Sequence, residues 1–348
     1  MEKAINSKLL SWYKKNKRFL PWRQEQVNKN PNPYFIFVSE YMLQQTTVPT
    51  VIKRFEEFIK KWPTLKKFSK ISEPSILSFW SGLGYYSRAR NLLKAAKIID
   101  KNFMGQIPNN LDDLLSLPGV GDYTAKAILG IGFNKPTMPL DANIERIIAR
   151  IFAYQHPISD IKNKLKEQSI NFISPKSSSK LIQAFMDYGS LVCTPRNPKC
   201  NICLIQIHCK SYAQNIQNLI PVKKKRKSKK LKKFSRAYIF SNEKNEILIR
   251  KRPAKGMLAS MLEVPNDEWV KNKKDLVQDK MILNINSELE SKGLIKYSFS
   301  HFDLETEVFI SKVKKDIFTN YKWVNRNKLK NSGLPTVMKK IIEFSLSE

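Results

Sequence analysis

Residues Leu117–Asn143 read LPGVGDYTAKAILGIGFNKPTMPLDAN, and the rest of the chain is organised around them. Leu117-Pro118-Gly119-Val120-Gly121 is a tight turn. Its two glycines accept left-handed dihedrals that side chains resist, and they leave backbone N–H groups uncovered. The composition from Asp122 to Phe133 then predicts a helix, with Ala125, Ile128, Leu129 and Gly132 towards a core. A glycine turn opening onto a helix N-terminus joins free amides to the positive end of the helix dipole, which suits one phosphate. After Pro139, Asp141 stands at the head of a second helical run carrying Ile144, Ile147, Ile148 and Ile151. On spacing alone the turn is as readily a plain connection as a phosphate site, and the acid as readily a helix cap.

The 348 residues leave room for about two domains, each with a core. Hydrophobic content of 42% fits a globular protein, and no run approaches the ~18 apolar residues of a membrane span. The first residues, MEKAINSKLLSWYKK, carry charge throughout with no apolar stretch for a signal, so a cytoplasmic, nucleoid-associated, bacterial-type protein without membrane contact is expected. A net charge of +32, from 62 basic and 30 acidic residues, attracts polyanions. Together with a phosphate-binding turn it points to nucleic acid.

Residues 4–16 have the pattern of an amphipathic helix, with Ile5, Leu9, Trp12 and Tyr13 on one side, and Leu20-Pro21-Trp22-Arg23 breaks it. Residues 34–47 read as an apolar helical segment in which Glu40 sits among Val38, Tyr41, Met42 and Leu43. An acid so placed is ordinarily on the polar face. Pointing inward, it would be kept protonated near neutrality by burial and suited to general acid work. Further helices are expected around Val51–Ile59, around Leu92–Ile99 and twice within 158–189. The segment 80–90 is a glycine-rich turn whose aromatics could stack on bases while Arg88 and Arg90 meet phosphates. No strand alternation is evident before residue 235, so the first domain reads as all-α.

All four cysteines fall in one run, Cys193, Cys200, Cys203 and Cys209. In a cytosolic protein such clustering indicates a metal site of four thiolates rather than disulfides, and zinc and iron–sulfur both remain open. His208 is surplus to four ligands, and Arg196, Lys199 and Lys210 make the loop basic. The basic run in NLIPVKKKRKSKKLKKF then marks an extended linker. Beyond it, Arg236–Phe240 and Glu246–Arg250 read as strands around the turn 241–245, Tyr297–Val313 adds β signal, and Thr336–Ser347 looks helical, giving a small α+β domain.

The hairpin, Asp141 and the cysteine spacing together resemble the helix-hairpin-helix superfamily of base-excision DNA glycosylases, in which the hairpin amides hold a DNA phosphate. Within it the chain is similar to the MutY family of adenine DNA glycosylases over nearly its whole length. The shared marks are Pro21-Trp22-Arg23, Ser39-Glu40-Tyr41-Met42-Leu43-Gln44-Gln45-Thr46, Gly82-Leu83-Gly84-Tyr85-Tyr86, Asp141-Ala142-Asn143 and the four cysteines. Arg252-Pro253, Glu263-Val264-Pro265, Phe299-Ser300-His301 and Leu334-Pro335-Thr336 carry the likeness to that family's MutT-like domain.

The resemblance implies a helical glycosylase domain at 1–212 with an iron-sulfur loop, a basic linker at 213–233 and a smaller Nudix-like domain at 234–348. It implies a monomer acting on double-stranded DNA that carries adenine opposite 8-oxoguanine or guanine. Glu40 and Asp141 would be catalytic, supported by Tyr123 and Asn143. Arg23, Leu43 and Gln183 would line the adenine pocket, and Gln45 and Tyr85 would wedge the base stack. Gln44, Thr46, Leu83, Arg88, Gly119, Gly121, Phe299, Ser300 and His301 are the remaining DNA-contact candidates. Cys193, Cys200, Cys203 and Cys209 would hold a [4Fe-4S] cluster.

Tyr123 stands where lyase relatives carry a Schiff-base lysine, which removes the nucleophile for an imine. Lys126 is the nearest amine. The stretch 266–292 lacks the Arg-Glu-x-x-Glu-Glu pattern of a Nudix hydrolase, so this domain is expected to bind and not to hydrolyse. The chain departs from the family pattern at Ala142, commonly glycine, at Met257–Leu262, which lacks a tryptophan, and at Asp122, an acid beside the phosphate turn. An endonuclease III-like pyrimidine or thymine-mismatch glycosylase, or a non-catalytic iron-sulfur DNA sensor, are the rival readings. The set Glu40, Tyr123 and Asp141 argues against the sensor.

Overall fold

The structure, a computed structural model, describes residues 1–24, 30–222, 230–253, 256–279, 282, 288–313, 321–331 and 333–347. The chain divides into two units, Met1–Ile71 with Asn91–Arg226, and Ser72–Arg90 with Lys227–Glu348.

Helices appear in the order α1 (Glu2–Asn16), α2 (Pro33–Leu43), α3 (Val48–Lys61), α4 (Leu65–Ser69), α5 (Glu73–Phe79), α6 (Ser87–Asn102), α7 (Leu111–Leu115), α8 (Asp122–Ala127), α9 (Ala142–Ile151), α10 (Lys162–Ile170), α11 (Ser178–Leu191) and α12 (Lys210–Ala213). Helix α2 starts where Asn32 accepts from the Tyr34 amide (2.9 Å) and Pro33 takes a first-turn position that needs no amide donor. It has no polar face: Tyr34 and every residue from Ile36 to Met42 are buried. The helix ends at Leu43 instead of continuing to Thr47, because Gln45 adopts a φ of 55° that a right-handed helix excludes.

The helix expected over Asp122–Phe133 is α-helical to Ala127 and then widens into a π turn at Ile128–Gly132. Gly130 lies so close to α11 that a Cβ there would stand 2.2 Å from the Ile182 Cδ1. Helix α1 lays Ile5, Leu9 and Tyr13 into the core, and Trp12 meets the Tyr188 ring edge-on at 5.0 Å. Helix α9 crosses α11 at Gly189, where a Cβ would stand 2.6 Å from the Asn143 Cβ.

In the second unit the strands are β1 (Leu231–Ser241), β2 (Glu246–Lys251), β3 (Leu262–Glu263), β4 (Glu290–Ser298), β5 (Phe302–Lys312) and β6 (Tyr321–Asn325), followed by helix α13 (Thr336–Leu346). The sheet order is β3-β2-β1-β5-β4, with β6 also pairing β2. Strands β1 and β5 run parallel from Leu231↔Phe302 to Ser241↔Lys312, and the other pairs are antiparallel. One core joins Ala237, Ile239, Ile249, Leu304 and Val308 of the sheet to Val337, Met338 and Ile341 of α13. At about 1.5–3 kcal/mol for each fully buried aliphatic side chain, that core is a sufficient reason for α13 to dock.

Two boundaries differ from the sequence reading. Strand β1 begins at Leu231, so the last residues of the expected linker are sheet, while 223–229 lie outside the described residues. The segment Ser72–Arg90 belongs with the second unit, to which it is tied by Lys339 Nζ donating to Ser81 Oγ (2.9 Å) and by Arg90 donating to the Ala259 carbonyl.

The closeness of α9 and α11 is testable. Gly189→Ala should lower stability by about 1–3 kcal/mol in chemical denaturation, because the new methyl forces Asn143 away. An unchanged midpoint would mean that the two helices part without cost.

Candidate active site

Because α2 has no polar face, Glu40 is almost entirely withdrawn from water, with 6% of its surface exposed. Burial pushes its carboxyl up to about 7. A hydrogen bond with the Tyr123 hydroxyl and the charge of Arg23 work against that rise, and the charge of Asp141 adds to it. The inward orientation, the less usual one for an acid on a helix, is the one observed.

Asp141 caps α9, its Oδ1 accepting from the amides of Asn143 (3.0 Å) and Ile144 (2.7 Å) and its Oδ2 from Asn143 Nδ2 (2.7 Å). Burial pushes its carboxyl up, while these donors and Arg146 favour the ionised form. Arg146 Nη2 in turn donates to Asn143 Oδ1 (2.9 Å) and the Gly189 carbonyl (2.6 Å). Glu40, Tyr123, Asp141 and Asn143 are thus brought together from α2, α8 and α9.

A cavity of about 320 Å³ is lined by Tyr13, Arg18, Leu20, Arg23, Ser179 and Gln183 among others; none of the four lines it, and Arg23, whose charge acts on Glu40, is the link between them. The Gln183 amide is fully oriented: Tyr13 Oη donates to its Oε1 (3.0 Å), and its Nε2 donates to the Ser179 carbonyl (3.0 Å). Leu43, expected here, is half-buried at the end of α2 and does not line this cavity.

The hairpin forms between α7 and α8. Gly119 has a φ of 82°, and a Cβ there would stand 2.9 Å from the Asn91 Cβ, so the turn requires glycine twice over. Tyr41 Oη donates to the Pro118 carbonyl and Gln44 Nε2 to that of Gly119 (3.3 Å), which fixes the turn against α2. Gly121 leads into α8, whose first amides have no partner within the helix. Asp122 does not cap α8 but pairs with Lys126 (2.9 Å), occupying the nearest amine. Gln45 is exposed, and Thr46 beside it donates its amide to the Leu43 carbonyl (3.2 Å) and its hydroxyl to that of Gln44 (3.5 Å).

In the second unit Tyr85 has a φ of 46° and is 40% exposed. Both expected wedge residues, Gln45 and Tyr85, therefore hold a backbone conformation that side chains disfavour, a kind of strain that clusters at functional sites. Arg88 is buried and donates to the carbonyls of Leu83 (2.9 Å) and Gly84 (3.2 Å), so it braces the loop from within rather than meeting phosphate. Leu83 is buried as well, and Arg90 is held by Glu73 (3.0 Å).

Ser300 and His301 are exposed in the turn between β4 and β5. Phe299, half-buried, packs among Tyr297, Trp269 and Phe302, anchoring that turn, and lines a cavity together with Ser300 and His301. The hydroxyls of Tyr85 and Ser300 share a hydrogen bond at a cavity of about 370 Å³ that His301 and Arg90 also line.

Cys193, Cys200, Cys203 and Cys209 are free thiols lining one cavity. Arg150 Nη1 donates to Cys193 Sγ (3.2 Å) and Tyr188 Oη to Cys203 Sγ (3.3 Å). Burial raises the thiols of Cys200, Cys203 and Cys209, and the neighbouring cysteines add to it. Among the described residues no group of three or more His, Cys, Asp or Glu side chains stands at metal-binding geometry.

Sequence reasoning missed Arg18, Arg146 and Asp187. The available signal for Asp187 was its place four residues after Gln183, itself four after Ser179, on an otherwise apolar helix.

Fold and site together define a helix-hairpin-helix DNA glycosylase that carries a Nudix domain. Residues 38–169 match the family described as "HhH-GPD superfamily base excision DNA repair protein", and residues 236–344 match "NUDIX domain". An adenine DNA glycosylase of Buchnera aphidicola subsp. Baizongia pistaciae is 37% identical, spanning 96% of this chain and 94% of the relative. One from Rattus norvegicus is 39% identical over 60% of this chain and 42% of its own length. Among solved structures, a thermostable thymine-DNA glycosylase superposes with a TM-score of 0.55 at 28% identity, over 61% of this chain and 97% of its own. The chain belongs to the adenine DNA glycosylase family and is a base-excision repair enzyme that binds DNA. Among the described residues no helix is long and apolar enough to cross a membrane.

The state of Glu40 has a measurable sign. Its folded value of about 7 lies above the ordinary 4.5, so the stability it allows is full below pH 4.5 and is lost as pH rises to about 7. Glu40→Gln removes that loss. In denaturation the variant should match wild type at pH 4 and exceed it by about 3 kcal/mol at pH 8. Equal stability at both pH values would place the carboxylate in contact with water.

Proposed function

We propose that the chain is a monofunctional hydrolase that removes adenine mispaired with 8-oxoguanine or guanine in duplex DNA. The observation that carries this reading is the protonatable Glu40, sealed in an apolar helix beside Tyr123 and near the ionised-form donors around Asp141. The base is extruded from the duplex, at a cost lowest for a mispair. Glu40 then gives its proton to adenine N7, the bond from C1′ to the base breaks with its electron pair leaving on adenine, and an oxocarbenium-like sugar forms. Asp141 stabilises that cation electrostatically. Water adds at C1′, leaving an abasic site and a proton that restores Glu40.

Tyr123 orients the acid, and Asn143 holds Asp141 by two hydrogen bonds. Arg23 and Gln183 belong to the cavity that would take the adenine. The hairpin around Gly119 and Gly121 takes a phosphate, Gln45 and Tyr85 fill the gap left by the extruded nucleotide, and Ser300 and His301 contact the opposite base. Lys126, the nearest amine, pairs with Asp122 at the surface of α8. Four thiols around one cavity, two of them accepting hydrogen bonds, fit a [4Fe-4S] cluster held by Cys193, Cys200, Cys203 and Cys209. Bound there, the cluster would brace the basic loop and supply no group to the reaction.

Single-turnover release of adenine from a duplex with adenine opposite 8-oxoguanine tests the reading. Wild type should release it, fastest below pH 7 and progressively more slowly above as Glu40 loses its proton. Glu40→Gln should cut the rate by about 10²–10⁴-fold. Borohydride should trap no covalent complex, and a trapped imine or preferred loss of thymine would move the assignment to a pyrimidine glycosylase.

Iron and sulfide analysis tests the cluster separately. Purified protein should carry about four of each per chain, and Cys203→Ala should lower both. Stoichiometric zinc in place of iron would overturn it.

A further inference from the structure

Along α11, Ser179, Gln183 and Asp187 recur every four residues, so they lie on one face of the helix, and all three are buried. A buried polar stripe is costly unless each group is paired. Its partners come from the N-terminal segment. Tyr13 binds Gln183, while Asp187 accepts from the Arg18 amide (2.9 Å), from Arg18 Nε (2.7 Å) and from Arg23 Nη1 (2.7 Å). Asp187 exposes none of its side chain to solvent, and that of Arg23 only 8%.

Arg23 has two neighbours of consequence, since it lines the base cavity and its charge acts on Glu40. The groups facing Glu40 are the Tyr123 hydroxyl from α8, Asp141 from the head of α9 and Arg23 from the turn before α2. A bare guanidinium in that position would draw the proton off the acid. One bonded to a carboxylate presents a much weaker field.

We propose that Asp187 is a positioning residue for base excision, holding Arg23 in the wall of the base pocket and offsetting its charge. The inference rests on Glu40 being the general acid. Asp187 acts through the guanidinium groups it holds, and of the two, Arg18 and Arg23, Arg23 is the one whose charge acts on Glu40.

The test compares Asp187→Asn, Arg23→Met and the double variant with wild type in single-turnover adenine release across pH 5–9. Melting curves and affinity for a duplex with an abasic site serve as checks on folding and DNA binding. Asp187→Asn should slow release about tenfold at neutral pH and move the midpoint of the pH profile down by about one unit, with binding unchanged. In the Arg23→Met background the same substitution should not move the midpoint further. A merely structural role would slow release equally in both backgrounds at a fixed midpoint, and that result overturns the proposal, as does a wild-type profile for Asp187→Asn.

Should Asp187→Asn fail to fold, Asp187→Glu keeps the charge but displaces Arg23. It should retain the wild-type midpoint with slower release, and a wild-type rate would overturn the proposal. Wild type releasing no adenine would instead defeat the reading of Glu40, and the inference with it.

Discussion

A carboxyl group is sealed inside a helix that has no wet side, and much of the helical unit serves to keep it there. Glu40 cannot leave the core without dragging Ser39, Tyr41 and Met42 with it, all of them buried. The neighbours that meet it are chemically specific: a phenol from α8, an arginine from the turn before α2, and an aspartate held at the head of α9. A buried acid lowers stability, and the aromatic packing around α2, such as Phe37 against Tyr41 at 5.1 Å, works against that cost. The site is therefore one of the places where function and stability pull apart.

The same economy governs the close approaches. Gly119, Gly130 and Gly189 each stand where a methyl group would collide with a neighbour, and each lies next to an element carrying a site residue. Backbone proximity brings Asn143 against α11, while the hairpin is held to α2 by the side chains of Tyr41 and Gln44.

Much of this was legible in the amino-acid order because local chemistry decides it. Two glycines before a helix, Asp141 before a run of isoleucines and Asn32 before Pro33 are signals that short-range sterics and capping enforce. Glu40 was ambiguous because periodicity separates inside from outside only when a helix has both, and α2 does not. Arg88 misled because a charged side chain near a glycine loop is read as reaching outward, whereas here the loop's own carbonyls needed a donor. The π turn at Ile128–Gly132 follows from how closely α11 approaches Gly130, a distance no local pattern encodes. The parallel pairing of β1 with β5 is tertiary in the same sense, since it joins Leu231 to Phe302 across the strands that lie between them in the chain.

Tyr13 lies 170 positions from the glutamine it binds, and Arg18 lies 169 from Asp187. Both partners of the N-terminal segment are made late. At a synthesis rate of about 5–20 residues per second, α1 emerges from the ribosome and waits on the order of ten to thirty seconds before α11 exists. A helix that short is barely stable by itself in water. The base cavity therefore closes only once α11 has been made, by capture of the chain's own beginning, and a nascent protein truncated before Asp187 holds Glu40 but has no finished pocket around it.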